Sequence, residues 1–272
     1  MPANTALTDP ATRTRARIAG VLFILTFVSA IAGLLLYGPV LNDARYVLGA
    51  GADTRIALGA LCEIVLVVAN IGTALALFPI LRRRHEALAL GYVASRIVES
   101  TFIAVGVISL LSVVTLRQDA AGADASSLLV SAQALVAVHD WTFLLGPGFC
   151  VGIGNGLLLG YLAYKSGLVP RRMAMLGLAG GSLILVNSTA VLFGLHEQTS
   201  GTAFLLSFTE MIWEASLGIY LIVKGGRSVT RPVTPTGPTW PRRSPRSSVG
   251  LSSPQQLAQQ PLLLDGALRR PR

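Results

Sequence analysis

The chain has 272 residues, is 52% hydrophobic and only 13% charged, and has a mean hydropathy of +0.63. Soluble domains carry about 25% charged residues, so this composition excludes an ordinary soluble fold and predicts a membrane protein. The net charge of +9 does not indicate nucleic acid, because the basic residues lie between and beyond apolar segments instead of sharing one face of a soluble fold.

A spanning helix needs about 20 mostly apolar residues. Six segments meet that requirement, at about 18–37, 56–80, 88–114, 141–163, 173–195 and 203–223. The expected fold is therefore all-α, a polytopic bundle of six transmembrane helices over residues 18–223. A basic N-terminal segment, 1–17, precedes it and a tail, 224–272, follows. The first span, IAGVLFILTFVSAIAGLLLY, follows RTRAR and has the outline of a secretory signal, with Ala30 and Ala32 as a weak cleavage site. Its apolar run continues past that site to Tyr37, so a retained span is expected.

Basic residues orient the layout. With the N-terminus inside, 18 of the 22 Lys and Arg residues fall inside and three, Arg45, Arg55 and Arg117, fall outside. Arg96 is left within the bilayer. Both termini are then cytoplasmic. LRRRHEA and SGLVPRR are the short inner loops, with Pro170 close to the first turn of the next helix, where proline is tolerated. On the outer side, Asp53 and Thr54 are candidate caps for the second helix. The loop RQDAAGADASSLLVSAQALVAVHD is expected to hold a short interfacial helix from about Ser127. After about residue 225 the chain is rich in Pro, Ser, Arg and Gln, and is expected to be a disordered, solvated basic tail.

Two features of the spans invite chemistry. GPGFCVGIGNGLLLG looks at first like a nucleotide-binding loop, but that motif needs a preceding strand and a soluble βαβ unit. Gly148, Gly152, Gly156 and Gly160 recur every four residues and so line one helix face, where small residues let a neighbouring helix approach closely. Gly177 and Gly181 offer a counterpart in the fifth span, and Pro147 is expected to kink the fourth. Cys62 and Cys150 read as small buried side chains, not as a disulfide framework.

The second feature is charge inside the spans. Glu63, Arg96, Glu99, Glu210 and Glu214 lie deep in apolar segments, and each costs at least about 2.5–3.5 kcal/mol at the bilayer centre. None is expected to face lipid. Arg96 and Glu99 are three apart and Glu210 and Glu214 four apart, so each pair shares a helix face. Glu63 shares one with Asn70. Glu63 and Glu210 both lie roughly 10 Å from the outer end of their helices, which predicts one polar cavity in the outer half, with His139 and Asp140 at its outer rim. Four acids facing one base require a bound cation, or protons on some glutamates. Two readings stay open: Arg96 and a glutamate fix helix register, or the cluster handles a ligand or protons.

No H-E-x-x-H or G-x-S-x-G motif occurs, and the three histidines lack ligand spacing. Neither a metal nor a cofactor is expected. The stretches RIAGVLFILTF, GADTRIALGALCEIVLVVANIGTALALFPILRRRHEALALGYVASRIVES and FTEMIWEASLGIYLIVKG resemble the bacterial multi-pass membrane family catalogued as domain of unknown function 4386, over residues 13 to 226. That resemblance implies a plasma-membrane protein of about six helices and no particular activity. The leading expectation is small-solute or proton-coupled transport or sensing. The alternatives are a membrane-embedded enzyme acting on a lipid or isoprenoid headgroup, and a non-catalytic partner subunit assembled through the glycine stripe. The lipid bilayer is the expected surrounding partner, self-association into a homo-oligomer stays open, and nucleic acid is excluded.

Overall fold

A computed structural model describes residues 10–43, 45–49 and 51–226. The expected disordered tail lies, beyond its first three residues, outside the described residues. Among the described residues every regular element is helical: α1 Pro10–Asn42, a 3-10 turn Tyr46–Leu48, α2 Asp53–Leu81, α3 Glu86–Gln118, α4 Ala125–Phe143, two π-helical segments Leu144–Cys150 and Gly152–Leu159, α5 Gly160–Ser166, α6 Arg171–Leu192 and α7 Gly201–Lys224. Six of the resulting rods are long and apolar enough to cross a membrane, the fourth being the continuous run Ala125–Ser166. The chain is a multi-pass, all-α membrane protein.

The six spans form a closed ring in chain order. α1 packs on α2, α2 on α3, and α3 on α4 and the π-helical segments; these segments pack on α6, α6 on α7, and α7 back on α1. Leucine, valine and isoleucine side chains cover the outside, among them Val28, Leu35, Val68, Ile108 and Val186. This surface belongs in lipid.

Two apolar clusters fill the ends of the ring unequally. At the end bearing the basic loops, side chains from all six spans close together, including Phe23, Leu77, Tyr92, Leu162, Trp213 and Leu221. The basic loop between the fourth and fifth spans adds Leu168 and Val169. At the opposite end, Tyr37, Val47, Ile56, Leu110 and Leu128 seal only the α1–α4 side. α6 and α7 contribute nothing to that second cluster, so the ring stays open beside them.

The helix ends show how the backbone is satisfied. Asp124 caps α4, with its carboxylate accepting from Ser127 N at 2.9 Å; hydrogen bonds from Ser126 and Ser127 hold it below the usual carboxylate range. Ser200 caps α7 in the same way. Asp53 does not cap α2, contrary to expectation: the cap residue is Ala52, without a side-chain bond. The Asp53 carboxylate is taken by Arg117 of α3 in a two-pronged ion pair, one prong 2.8 Å long, and also accepts from Tyr46 and Gln118. A fork-on-fork pair between two helix ends outweighs a local cap. Burial, then the bond to Asp53, pushes the Tyr46 hydroxyl up to about 12. Pro39 cannot donate to the carbonyl of Leu35 one turn back, and Arg55 Nη2 supplies that bond instead at 2.8 Å. α6 stops at Leu192, short of the expected 195, where Gly194 turns the chain at φ 69°. His196 and Glu197 therefore lie in the α6–α7 connection.

The fourth span is where sequence and structure differ most. A kinked α-helix was expected; the chain is instead π-helical on both sides of Val151. Pro147 has no N–H to give to the α-helical ladder, and the glycines offer no Cβ to resist a wider turn. Carbonyls in this stretch take donors from other helices: Ser95 Oγ reaches Cys150 O at 2.9 Å, and Trp213 Nε1 reaches Asn155 O at 3.1 Å. Such replacement partners are what make irregular backbone tolerable at membrane depth. Gly148, Gly152, Gly156 and Gly160 all abut α6, at Ser188, Ile184 and Leu185, Gly181, and Leu178 in turn.

The closest approach is Gly156 against Gly181, where a Cβ on Gly181 would meet the Gly156 Cα at 2.5 Å. Gly181→Val should destabilise the bundle by about 1–3 kcal/mol or more. Gly201→Ala, with nothing within 4 Å, should stay within about 0.5 kcal/mol of the wild type. Thermal unfolding in detergent checks both; equal melting temperatures would refute the close-approach account.

Candidate functional site

The site is built around Arg96, on the inward face of α3 and 2% exposed. Its Nη1 donates to Glu99 Oε2 at 2.8 Å, one helical turn along. Its Nη2 donates to Asn70 Oδ1 of α2. The Asn70 amide closes the circuit by donating Nδ2 to Glu99 Oε1 at 2.8 Å. Both terminal nitrogens of the guanidinium and both oxygens of the carboxylate are thus used within one three-residue loop. Thr73 Oγ1 bonds the Asn70 carbonyl at 2.6 Å.

Two further carboxylates each receive one neutral donor. Tyr37 of α1 reaches across to Glu63 Oε2 at 3.2 Å. Asn155, from the second π-helical segment, donates Nδ2 to Glu214 Oε1 of α7. Glu210, one turn before Glu214 and 2% exposed, differs. Among the described residues, neither of its oxygens has a hydrogen-bond partner. Its carboxyl rests in a notch where Gly180 and Gly156 lack side chains; a Cβ on Gly180 would stand 2.6 Å from Glu210 Oε2. The glycine faces of the fourth and fifth spans therefore bring helices together and leave room for an acid.

These groups meet in one cavity of about 330 Å³ inside the ring. Glu63, Asn70, Arg96, Glu99, Glu210 and Glu214, the six polar residues singled out by helical spacing, all line it. Thr26, Asn187, Ser188 and Ser207 add polar atoms, and Gln198 of the α6–α7 connection places its mouth at the end opposite the basic loops. The rest of the wall is largely apolar.

His139 and Asp140 part company. His139 turns inward, 4% exposed, its ring edge-on to Tyr37 at 5.9 Å. Asp140 is exposed and borders a separate depression with Asn42, Asp43 and Tyr46. Neither lines the main cavity, so the pair does not form a common rim. The α-helix geometry of α4 sends consecutive residues about 100° apart, so one faces in and the other out although His139 Nδ1 and Asp140 Oδ1 stay 3.5 Å apart. Of the glycines, only Gly148 is part of the cavity wall. Among the described residues no three His, Cys, Asp or Glu side chains are grouped to hold a metal ion.

Sequence reasoning missed three participants. Asn155 was visible as the lone polar residue in GIGNGL, an intramembrane amide with no reason to face lipid. Asn187, in the apolar run of α6, carried the same signal. Tyr37 gave none, since a tyrosine near a span end reads as an interfacial anchor.

One family model matches residues 18–225, that of the family described as a domain of unknown function (DUF4386). The match covers most of the chain, which therefore belongs to that family. No curated protein and no solved structure matches it.

The two kinds of acid predict opposite responses. Arg96→Ala strands Glu99 and should cost about 3–5 kcal/mol. Glu210→Gln removes an unpartnered buried carboxyl and should melt at or above the wild-type temperature in detergent. If Glu210→Gln were as damaging as Arg96→Ala, Glu210 would be structural.

Proposed function

We propose that this member of a family of unknown function moves or senses a small solute or protons through the central cavity, with Glu63, Glu210 and Glu214 as the exchanging groups. The observation that carries the reading is the Glu210 carboxyl, buried at the cavity wall with neither oxygen partnered among the described residues. A bundle gains nothing structural from such a group, which costs at least about 2.5 kcal/mol in the membrane interior. Arg96 and Glu99 satisfy each other and set the local charge; the other acids are left for a proton or a ligand.

The shape supports a pathway. The cavity has its mouth at one end, beside α6 and α7, and the six-span apolar cluster closes it at the other. Passage through the bundle requires that cluster to part, with Trp213 and Leu217 on the same helix as the two acids. Movement of α7 would then couple occupancy of the acids to the seal. We place the protein in a bacterial plasma membrane with both termini cytoplasmic, since the Lys and Arg residues of the short loops gather at the closed end.

Two experiments test these points. In liposomes with an imposed membrane potential, wild-type protein should admit protons faster than empty vesicles, and Glu210→Gln or Glu214→Gln should lower the rate by about tenfold or more. A wild-type rate equal to that of empty liposomes would defeat proton coupling. For orientation, single cysteines at Arg83→Cys and Ala123→Cys, in a chain lacking Cys62 and Cys150, meet an impermeant maleimide in intact cells. Ala123→Cys should label and Arg83→Cys should not; the reverse pattern inverts the topology.

A further inference from the structure

Resting on that reading of the cavity, we propose that its ligand is an amphiphilic organic cation, with the cationic head held at Glu210 and Glu214 and an apolar body along the mouth.

Charge is the first argument. The wall carries Glu63 from α2, Arg96 and Glu99 from α3, and Glu210 and Glu214 from α7; α1, α6 and the fourth span add no charged residue to it. Arg96 is the one base, and both its terminal nitrogens are already engaged by Glu99 and Asn70. Among the described residues no other cation is hydrogen-bonded to the remaining three acids. When ionised these acids repel an anion, and a neutral solute would not require them.

Partnering is the second argument. Tyr37 and Asn155 give Glu63 and Glu214 one donor each, whereas Glu210 has none and lies one turn from Glu214 on the same face. A cationic head between the two α7 carboxylates would satisfy Glu210 and the free oxygen of Glu214 together. Asn187 Oδ1, also buried, unpartnered and part of the wall, is a further acceptor at that level.

The remainder of the wall decides between an inorganic and an organic ion. Calcium takes six to eight oxygens and magnesium a tight octahedral set, and a wall this apolar cannot replace a hydration shell so completely. The lining includes Phe27 and Met211 at about the level of the α7 acids, with Ile31, Leu34, Phe143 and Ile184 nearer the mouth. Aromatic faces and a thioether suit the body of an organic cation, and quaternary ammonium groups are held by aromatic rings together with acids. The volume, about 330 Å³, lies at the lower end of ligand pockets, roughly 300–1,000 Å³. This favours a head group with one ring or a short chain.

The test uses the full-length protein in lipid nanodiscs and isothermal titration calorimetry. The probe is benzyltrimethylammonium, with neopentylbenzene as its neutral isostere. The wild type should bind the cation saturably, and the isostere at least about tenfold more weakly. Glu210→Gln should weaken cation binding by a factor of about thirty, the loss expected when one side of a buried charge pair is removed. Equal binding of the isostere, or undiminished binding by a monodisperse Glu210→Gln protein, overturns the proposal. Should that variant fail to fold, the wild type still decides. Protons and the cation compete for the same carboxyls, so affinity should fall from pH 8.5 to pH 5.5, with protons released on binding in weak buffer. Affinity unchanged over that range overturns the proposal as well. Liposome flux separates the two readings. Proton flux without cation binding removes this ligand and keeps transport, whereas cation binding without flux keeps the ligand and removes transport.

Discussion

Hydrocarbon offers no water to an ionised side chain, so a charge inside the ring must find its partners there. The loop of bonds joining Arg96, Asn70 and Glu99 is how this chain meets that demand. It uses both terminal guanidinium nitrogens and both carboxylate oxygens, and ties α2 to α3. An amide at position 70 is what makes the closure complete, because it accepts from the base and donates to the acid at once. The cost of the remaining acids falls on the groups around them. Tyr37 and Asn155 meet part of it, and Glu210 is left with an unmet demand that the protein has not relieved from within.

The apolar parts of the molecule give that polar layer its direction. Leu217 and Leu221 lie in the six-span cluster just beyond the acids of α7, and Trp213 joins that cluster from between the two acids, so the cavity ends there. At the other end, the 3-10 turn lays Tyr46 and Val47 over the α1–α4 half only. The Asp53–Arg117 pair pins that half by joining the start of α2 to the end of α3. Among the described residues the α6–α7 half has no equivalent ion pair, and the mouth is found there. Rigid and loosely braced sides of one ring are a physical basis for an opening that changes while the rest holds still.

Much of this was legible in the residues. Apolar runs of about 20 identify spans with little ambiguity, and three- and four-residue spacings place Arg96, Glu99, Glu210 and Glu214 on defined faces. Because a charged face cannot look at lipid, those faces had to converge, and their meeting in one cavity follows from cost alone. What was not legible depends on neighbours distant in sequence. Asp53 has the composition of a cap, but Arg117, 64 residues away, outcompetes the local role. Pro147 announced a disturbance; its resolution into π-helical turns depends on Ser95 and Trp213 offering donors from other spans. Tyr37 became a partner of Glu63 only because α1 runs beside α2. His139 and Asp140, adjacent in sequence, differ in burial because the helix that carries them turns one inward and the other outward.

The ring's chain order has a consequence for how the protein is made. Each span lies beside the one synthesised before it, so most of the structure forms from local pairings as the helices enter the membrane. Among the described residues, the broadest packing between distant parts of the chain is the seam between α1 and α7. α7 is also the least apolar of the six spans, with a hydropathy of 1.3 against 2.5 for α1, and it carries two acids. Emerging last among them, it meets five helices already in place, with the amide of Asn155 waiting on the inner wall. Its insertion is thereby assisted by the protein it completes, and a helix poorly suited to lipid alone becomes the piece that closes the bundle.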